Sequence, residues 1–112
     1  MPLQEGRPGT VALSVPVWLV GVVAERGWVG TGRTRDVRAG GVALELDEPA
    51  PAGVEEGAAL VLVVDWGERH RHLARVARID RGRRAVALMI LKPESGHDQV
   101  WDGAVAAALA AG

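Results

Sequence analysis

Apolar and polar residues alternate along short stretches of the chain, which is the pattern of β-strands with one buried face. The first stretch begins near Val11, and its apolar residues continue to Ala24. Because proline cannot donate to a sheet ladder, Pro16 predicts an edge or a bulge within it. Five further segments have strand character: 28–37, 42–47, 58–66, 69–80 and 85–91.

Glycine and charged residues separate these segments and predict turns. The turn from Asp36 to Gly41 ends in a glycine pair, so we expect Gly40 or Gly41 to have positive φ. The segment 58–66 is too apolar to face water on one side, which predicts a central strand. The remaining predicted turns and loop are 25–27, 48–53, 67–68 and 81–84.

A single helix is predicted at the C-terminal end. Pro93 stops the last strand, and Ser95 and Asp98 have the spacing of a capping box. Apolar side chains then recur at helical spacing: Trp101, Val105, Ala108 and Leu109. We therefore predict a helix from His97 to Ala110. Six antiparallel strands with a terminal helix predict an all-β barrel, which closes its own edges, in a single domain over 1–112.

The predicted helix is rich in alanine, and small residues permit close contact between helices. Two interpretations stay open. The helix could lie across the open end of its own barrel, or it could form the surface of a homodimer or of a contact with a partner protein.

Composition narrows the classes of protein. The chain has 112 residues, a formal net charge of −1 and no cysteine, which excludes disulfides, thiolate zinc sites and cysteine nucleophiles. Nothing in this charge points to nucleic acid or to an anionic membrane. The longest apolar stretch, about ten residues, is too short to cross a bilayer. With no signal-peptide pattern, we expect a cytoplasmic protein without membrane insertion.

Aromatic residues are few, since four tryptophans are present and phenylalanine and tyrosine are absent. We expect a small, β-branched core in which tryptophan fills the large gaps. The alternative is that Trp18, Trp28 and Trp66 form a stacking surface for single-stranded nucleic acid. A small barrel that binds nucleic acid is therefore an outside alternative, and core filling is the preferred interpretation.

Few residues suggest catalysis or metal binding. His70 and His72 share one face of a predicted strand and could hold a metal if a third ligand converged. The preferred interpretation is a solvated hairpin end with no metal site. The serines are Ser14, in a predicted strand, and Ser95, a predicted cap, and no nucleophile elbow surrounds either. We do not expect an enzyme.

Arginines gather around the turn that precedes the third strand. Arg33, Arg35 and Arg38 flank Asp36, and Arg33 and Arg35 share one face of the predicted strand. Guanidinium forks beside the backbone N–H groups of a glycine turn make an anion site. A hairpin with solvated arginines is the equal alternative.

These residues resemble PilZ domains, the bacterial receptors of cyclic di-GMP. The family has a six-stranded barrel, usually with a C-terminal helix. Its two motifs are RxxxR near the N-terminus and [D/N]xSxxG some 20–30 residues later. Asp36 and Gly41 match the second motif, and the segment 10–17 is similar to the stretch after the first one. The resemblance covers about residues 7–110.

The chain departs from both motifs. Gly6 and Thr10 occupy the two arginine positions of the first, and Arg38 replaces the serine of the second. Arg7 lies beside the first position. In the family the two arginines hold phosphates and stack on guanine, and loss of such a charged partner costs about 1.5–3 kcal/mol or more. Arg38 also brings bulk to a position where a small hydroxyl fits.

The resemblance thus implies a non-catalytic PilZ-like adaptor that acts through protein contacts in cyclic di-GMP signalling, with weak or lost nucleotide binding. The alternative is a working cyclic di-GMP receptor with relocated arginines, chiefly Arg7, Arg35 and Arg38. Cyclic di-GMP is the ligand implied by the family, and a protein is the expected partner. The ligand-binding residues that the resemblance implies are Arg7, Arg33, Arg35, Asp36, Arg38 and Gly41.

Overall fold

The computed structural model of the chain describes residues 10–65, 67, 69–91, 103, 105–107 and 110. This part of the chain is mostly β, with a short helical segment near the C-terminus. Seven strands are present: β1 Thr10–Ala12, β2 Pro16–Val23, β3 Arg26–Arg38, β4 Gly41–Leu46, β5 Ala59–Asp65, β6 Arg69–Ile79 and β7 Ala85–Ile90.

Six of these strands close into an antiparallel barrel. The sheet order is β1-β3-β2-β5-β6-β7-β4, and β4 pairs back with β3. Closure leaves β1 as an additional strand, paired with the last residues of β3. The predicted all-β barrel with a C-terminal helix is confirmed.

The first predicted strand is in fact two strands, so the described chain has one short strand, β1, in addition to the six strands of the predicted barrel. The chain leaves the sheet from Leu13 to Val15 and re-enters it at Pro16. Proline has no N–H to donate, and it occupies the first position of β2, where this matters least. The expected edge at Pro16 is therefore present as a strand end.

Two predicted turns are shorter than expected. The β2–β3 turn is Ala24 and Glu25, both at positive φ (50° and 65°). Such a two-residue turn matches the twist of a hairpin, so the predicted turn at 25–27 lies one residue too late. The predicted turn from Asp36 to Gly41 also contracts, because β3 continues to Arg38. Gly40 has the predicted positive φ, at 76°.

The core consists of inward-facing aliphatic side chains, mostly leucine and valine, from every strand of the barrel. Val105 of the helical segment is buried in it, as predicted. Trp101, Leu109 and the predicted start of the helix at His97 lie outside the described residues. Whether this helix forms a homodimer therefore stays a prediction.

Neither of the two described tryptophans fills the core as we expected, and Trp66 and Trp101 lie outside the described residues. Trp18 points outward, where the guanidinium carbon of Arg69 lies 5.0 Å from the centre of its ring. Trp28 is only half-buried, at the margin of the core. The alternating register of β2 places Val17 and Leu19 inside, so Trp18 between them has to face outward.

The central position predicted for β5 is confirmed, since β5 pairs with both β2 and β6. Its residues are not buried on both faces, however. Leu60, Leu62 and Val64 are buried, whereas Val61 and Val63 on the outer face are half-buried. A strongly apolar strand thus turns one face away from the core.

The loop between β4 and β5 is held against the barrel by Arg83, which lies in the β6–β7 turn at positive φ (61°). Its guanidinium donates to the carbonyl oxygens of Ala50 (2.8 Å), Pro51 (2.6 Å) and Val54 (2.6 Å). The Glu55 carboxylate lies 3.3 Å away. Because Ala50 and Val54 are buried, this fork completes one end of the core.

Replacement of Arg83 by alanine is expected to lower the free energy of unfolding by about 2–3 kcal/mol, because several carbonyls lose a charged donor. Chemical denaturation measures this. Arg81→Ala in the same turn is the matched control, since the Arg81 side chain is exposed, and it should change stability by less than about 0.5 kcal/mol. Equal effects of the two substitutions would contradict the role of Arg83.

Candidate ligand-binding site

A β-bulge shapes the end of β3, where the candidate residues lie. Thr34 pairs with Leu44 and Asp36 pairs with Ala43, so Arg35 is an additional residue between them. The bulge turns Asp36 outward beside Arg35, and alternation then returns Val37 to the core. Arg33 and Arg35 are both exposed, in agreement with the face that we predicted for them.

The predicted ligand-binding residues do not form one set. Arg33 and Arg35 line a shallow cleft of about 510 Å³ beside the Leu13–Val15 break. Asp36 and Arg38 line a second cleft, of about 730 Å³, together with Thr10 and Arg78. Arg7 lies outside the described residues.

Thr34 holds the backbone of the first cleft in place. Its side chain is buried, its hydroxyl donates to the Leu13 carbonyl, and the Val15 N–H donates to that hydroxyl at 2.9 Å. The Thr34 N–H in turn donates to the Val15 carbonyl at 3.0 Å. One hydroxyl therefore satisfies two backbone groups at the break between β1 and β2, where the pairing partner of β3 changes.

Arg33 makes its side-chain hydrogen bonds at the same break, between β1 and β2. Its Nε donates to the Ser14 hydroxyl at 2.8 Å, and a terminal nitrogen donates to the Ser14 carbonyl at 3.1 Å. Ser14 was predicted to lie in a strand and instead lies in the interruption. Arg33 thus fixes this loop with donors that a ligand would otherwise use, although its side chain is exposed like that of Arg35.

Arg38 lies across the glycine turn. A Cβ on Gly41 would be 3.1 Å from the Arg38 Nε and 3.3 Å from the Leu88 carbonyl oxygen. Gly41 therefore leaves room for the arginine to lie against the backbone. The Gly40 carbonyl accepts from the Ile90 N–H at 2.9 Å, which ties the turn to the end of β7.

A second bulge supplies Arg78, which the sequence analysis did not single out. Val76 pairs with Leu88 and Arg78 pairs with Ala87, so Ala77 is an additional residue in β6. As a result Arg78 is exposed and lines the second cleft, together with the exposed Met89. The imperfect alternation of segment 69–80 is the sequence signal of this bulge.

His70 and His72 lie on one face of β6, as predicted, and their rings stack with centroids 6.3 Å apart. The expected solvated hairpin end is not observed for His72, which is buried. Burial lowers the pKa of His72, and the nearby His70 lowers it further. Within the described residues, no group of three or more histidine, aspartate or glutamate side chains could hold a metal ion.

In the part of the chain that the structure describes, no helix has the length and apolar character needed to cross a membrane.

The barrel has the fold of PilZ domains. No family model and no curated protein matches the sequence. The structure of the chain is nevertheless similar to solved structures. The PilZ domain of CeSA from a cellulose-synthesizing bacterium has a TM-score of 0.65 at 19% identity, over 84% of this chain and 95% of that one. The PilZ domain of YcgR from Escherichia coli, solved with c-di-GMP, has a TM-score of 0.63 at 14% identity, over 88% and 90%.

A third solved structure extends the comparison to a longer protein. The Bacillus subtilis inhibitor of motility, MotI/DgrA, has a TM-score of 0.63 at 17% identity. The match covers 99% of this chain and 57% of that protein, so the chain spans little more than half of MotI. These likenesses confirm the PilZ-like fold that the sequence suggested.

Thr34→Val is expected to lower the free energy of unfolding by about 1–3 kcal/mol, because it leaves two backbone groups without their hydroxyl partner at almost unchanged volume. Thr31→Val is the matched control on the same strand. The exposed Thr31 hydroxyl donates to Asp47 at 2.7 Å, so its loss should cost no more than about 0.5–1 kcal/mol. If Thr34→Val destabilised the protein no more than Thr31→Val, this would contradict the structural role of the Thr34 hydroxyl.

Because of His72, the protein should become less stable as the pH is lowered. Its folded-state pKa lies below the ordinary value of 6.5, so below this pH the unfolded chain binds more protons than the folded chain. The free energy of unfolding should therefore decrease as the pH falls from 6.5 toward the lower folded-state pKa. Denaturation at a series of pH values measures this, and His72→Gln should remove the dependence. A dependence that survives in His72→Gln would assign it to other groups.

Proposed function

We propose that this protein is a non-catalytic, cytoplasmic PilZ-type signalling adaptor that acts through protein contacts and binds cyclic di-GMP weakly or not at all. The PilZ-like fold supports the signalling class. One solved neighbour was determined with c-di-GMP, and another is an inhibitor of motility. Both precedents are compatible with an adaptor that reaches another protein.

The observation that carries the proposal is the pairing of Thr10 with Arg38 at the second cleft. Thr10 stands at the second arginine position of the PilZ motif, and its Cα partner in β3 is Arg38, at the serine position. An uncharged side chain thus replaces a phosphate-binding guanidinium, and a long cation replaces the small hydroxyl. Both changes fall on residues that line one cleft.

The absence of both motif arginines favours weak binding over tight binding, while the charges that line the cleft leave some attraction for an anion. Arg38 and Arg78 are cationic, and Asp36 between β1 and β4 is anionic. Loss of about 3 kcal/mol from a micromolar site, which is worth about −8.2 kcal/mol, leaves a dissociation constant in the hundreds of micromolar. Cations at the cleft would leave a residual attraction for a dianionic ligand.

The relocated-arginine alternative requires Arg35 and Arg38 to act together. These two residues line different clefts, on either side of the bulge. The two clefts adjoin at Ala12, so a single dinucleotide bound by both arginines would have to extend from one cleft into the other. This arrangement favours the adaptor.

The contacts of Ser14 are compatible with the proposed non-catalytic role. Within the described residues, the Ser14 hydroxyl accepts a hydrogen bond from the Arg33 side chain, which lies 19 residues later in the chain. This contact holds the backbone in place. The hydroxyl has no histidine base among its hydrogen-bond partners in the described structure.

Calorimetric titration with cyclic di-GMP is expected to give a dissociation constant above about 10 μM, or no heat. Reconstruction of both motifs by Gly6→Arg, Thr10→Arg and Arg38→Ser should tighten binding at least about tenfold, since each arginine fork restores bidentate phosphate contacts.

The matched control carries lysine in place of both new arginines. It has the same charge but lacks the planar fork, so it should recover less affinity. A dissociation constant at or below micromolar for the native chain would overturn the adaptor proposal. If Arg7→Ala then abolished that binding, the relocated-arginine alternative would replace it.

A further inference from the structure

The large exposed apolar residues of the described chain lie on the outer surface of the barrel sheet and are not scattered over the molecule. They are Val22 (74% exposed), Val29 (60%), Leu73 (53%), Met89 (52%) and Val20 (39%). Single exposed apolar residues are ordinary on protein surfaces, whereas a contiguous group marks an interaction site.

Strand register joins three of these exposed side chains and the half-buried Val61 into one row. Val20 of β2 pairs with Val29 of β3 on one side and with Val61 of β5 on the other. Val61 pairs in turn with Leu73 of β6. We call Val29, Val20, Val61 and Leu73 the apolar row. It crosses four adjacent strands at a spacing of about 4.8 Å, so it is about 14 Å long.

Arginines border the apolar row along β6. Arg71 and Arg75 lie two residues on either side of Leu73 on the same face of the strand, and Arg69 follows with its guanidinium over the Trp18 ring. Arg75 donates to the Gly57 carbonyl at 2.6 Å, whereas Arg71 makes no hydrogen bond or ion pair within the described chain. Asp65, paired with Arg69, is the acidic residue on the outer face of β5.

We infer that the apolar row and its β6 arginines dock an amphipathic, acidic helix of a partner protein. Because the row curves with the closed sheet, a straight helix contacts its Val20, Val61 and Leu73 part. This part spans two strand spacings, about 10 Å, which is the length of about seven helical residues. Glutamates along one flank of that helix would meet Arg71 and Arg75. No residue of the row lines either cleft, and the inference supplies the protein contact on which the proposed adaptor function rests.

Charge favours this occupant over a second copy of the chain. A two-fold contact through this face would present the same arginine-bordered surface to itself, with Asp65 as its acidic counterpart. It would also compete with the stacking of Arg69 on Trp18. A membrane is less suited, because the half-buried Trp18 lies beneath a guanidinium and three arginines give modest attraction to anionic lipid.

The probe is a fluorescein-labelled peptide of about twenty residues, with leucines at helical spacing on one face and glutamates along one flank. Fluorescence anisotropy with the full chain is expected to show saturable binding below about 100 μM. The double variant Val20→Gln, Leu73→Gln should weaken binding at least about tenfold, and Arg71→Glu should weaken it severalfold. All three positions are exposed, so unchanged thermal unfolding would show that the variants fold.

Two matched controls make the result specific. Arg81→Glu introduces the same charge change at an exposed turn and should leave binding unchanged, and a peptide with lysines in place of the glutamates should not bind. The inference is overturned if the acidic peptide does not bind at about 1 mM, or if the lysine peptide binds equally well.

Two further results would also overturn this choice of occupant. One is self-association in sedimentation that Leu73→Gln abolishes, and the other is binding to phosphatidylserine vesicles that depends on Leu73. The nucleotide titration is independent of these residues. A micromolar affinity for cyclic di-GMP would overturn the proposed function while peptide binding persisted, and the reverse outcome would remove only the docking surface.

Discussion

The barrel depends on one backbone contact, at Gly32. This residue pairs with Val17 of β2 on one side and with Leu46 of β4 on the other, so it is where β3 joins both neighbours and the sheet closes. A Cβ at Gly32 would overlap the Glu45 carbonyl and approach the Leu46 Cα. Any larger residue would push β4 away from β3, and the edges that closure removes would open again.

Closure of the barrel also determines the shape of the candidate site. Beyond Gly32, β3 must continue to pair with β4 while its other side passes from β2 to β1. The Thr34 hydroxyl bridges this change of partner, and the bulge at Arg35 follows at once. Two clefts therefore arise on either side of the bulge, with Arg33 engaged at one and Arg38 laid along the other. Barrel geometry therefore places Arg35 and Arg38 in different clefts.

Local patterns predicted the strands well, because alternation and turn chemistry are encoded within a few residues. The Leu13–Val15 break could not be predicted, since the hydroxyl that stabilises it is 19 to 21 residues away. Contacts of Arg83 with the β4–β5 loop are still more distant, at 29 to 33 residues. Of the candidate site, the outward direction of Arg33 and Arg35 and the positive φ of Gly40 were predictable. The division into two clefts was not, because it depends on pairing between strands.

The outer apolar row could not be predicted from the sequence for a related reason. The residues of β2 and β5 read as continuous apolar runs, and such runs predict burial on both faces. In the barrel these strands have a core on one side only, so half of their valines face outward. An apolar run in a closed sheet of this size therefore signals either a covering element or an interaction surface.

Two β-bulges determine which charged side chains lie at the second cleft and on the outer face of β6. In regular alternation Arg69, Arg71 and Arg75 would be the outward cations of β6, and residue 78 would point to the core. The additional residue Ala77 shifts the register, so Arg78 is outward as well. On β3 the additional residue Arg35 does the same for Asp36. Each bulge thus places one charged side chain, Asp36 or Arg78, at the second cleft. The outward arginines of β6 extend along the strand from the apolar row to that cleft. A ligand bound at the cleft would therefore contact the strand that also carries the proposed docking surface.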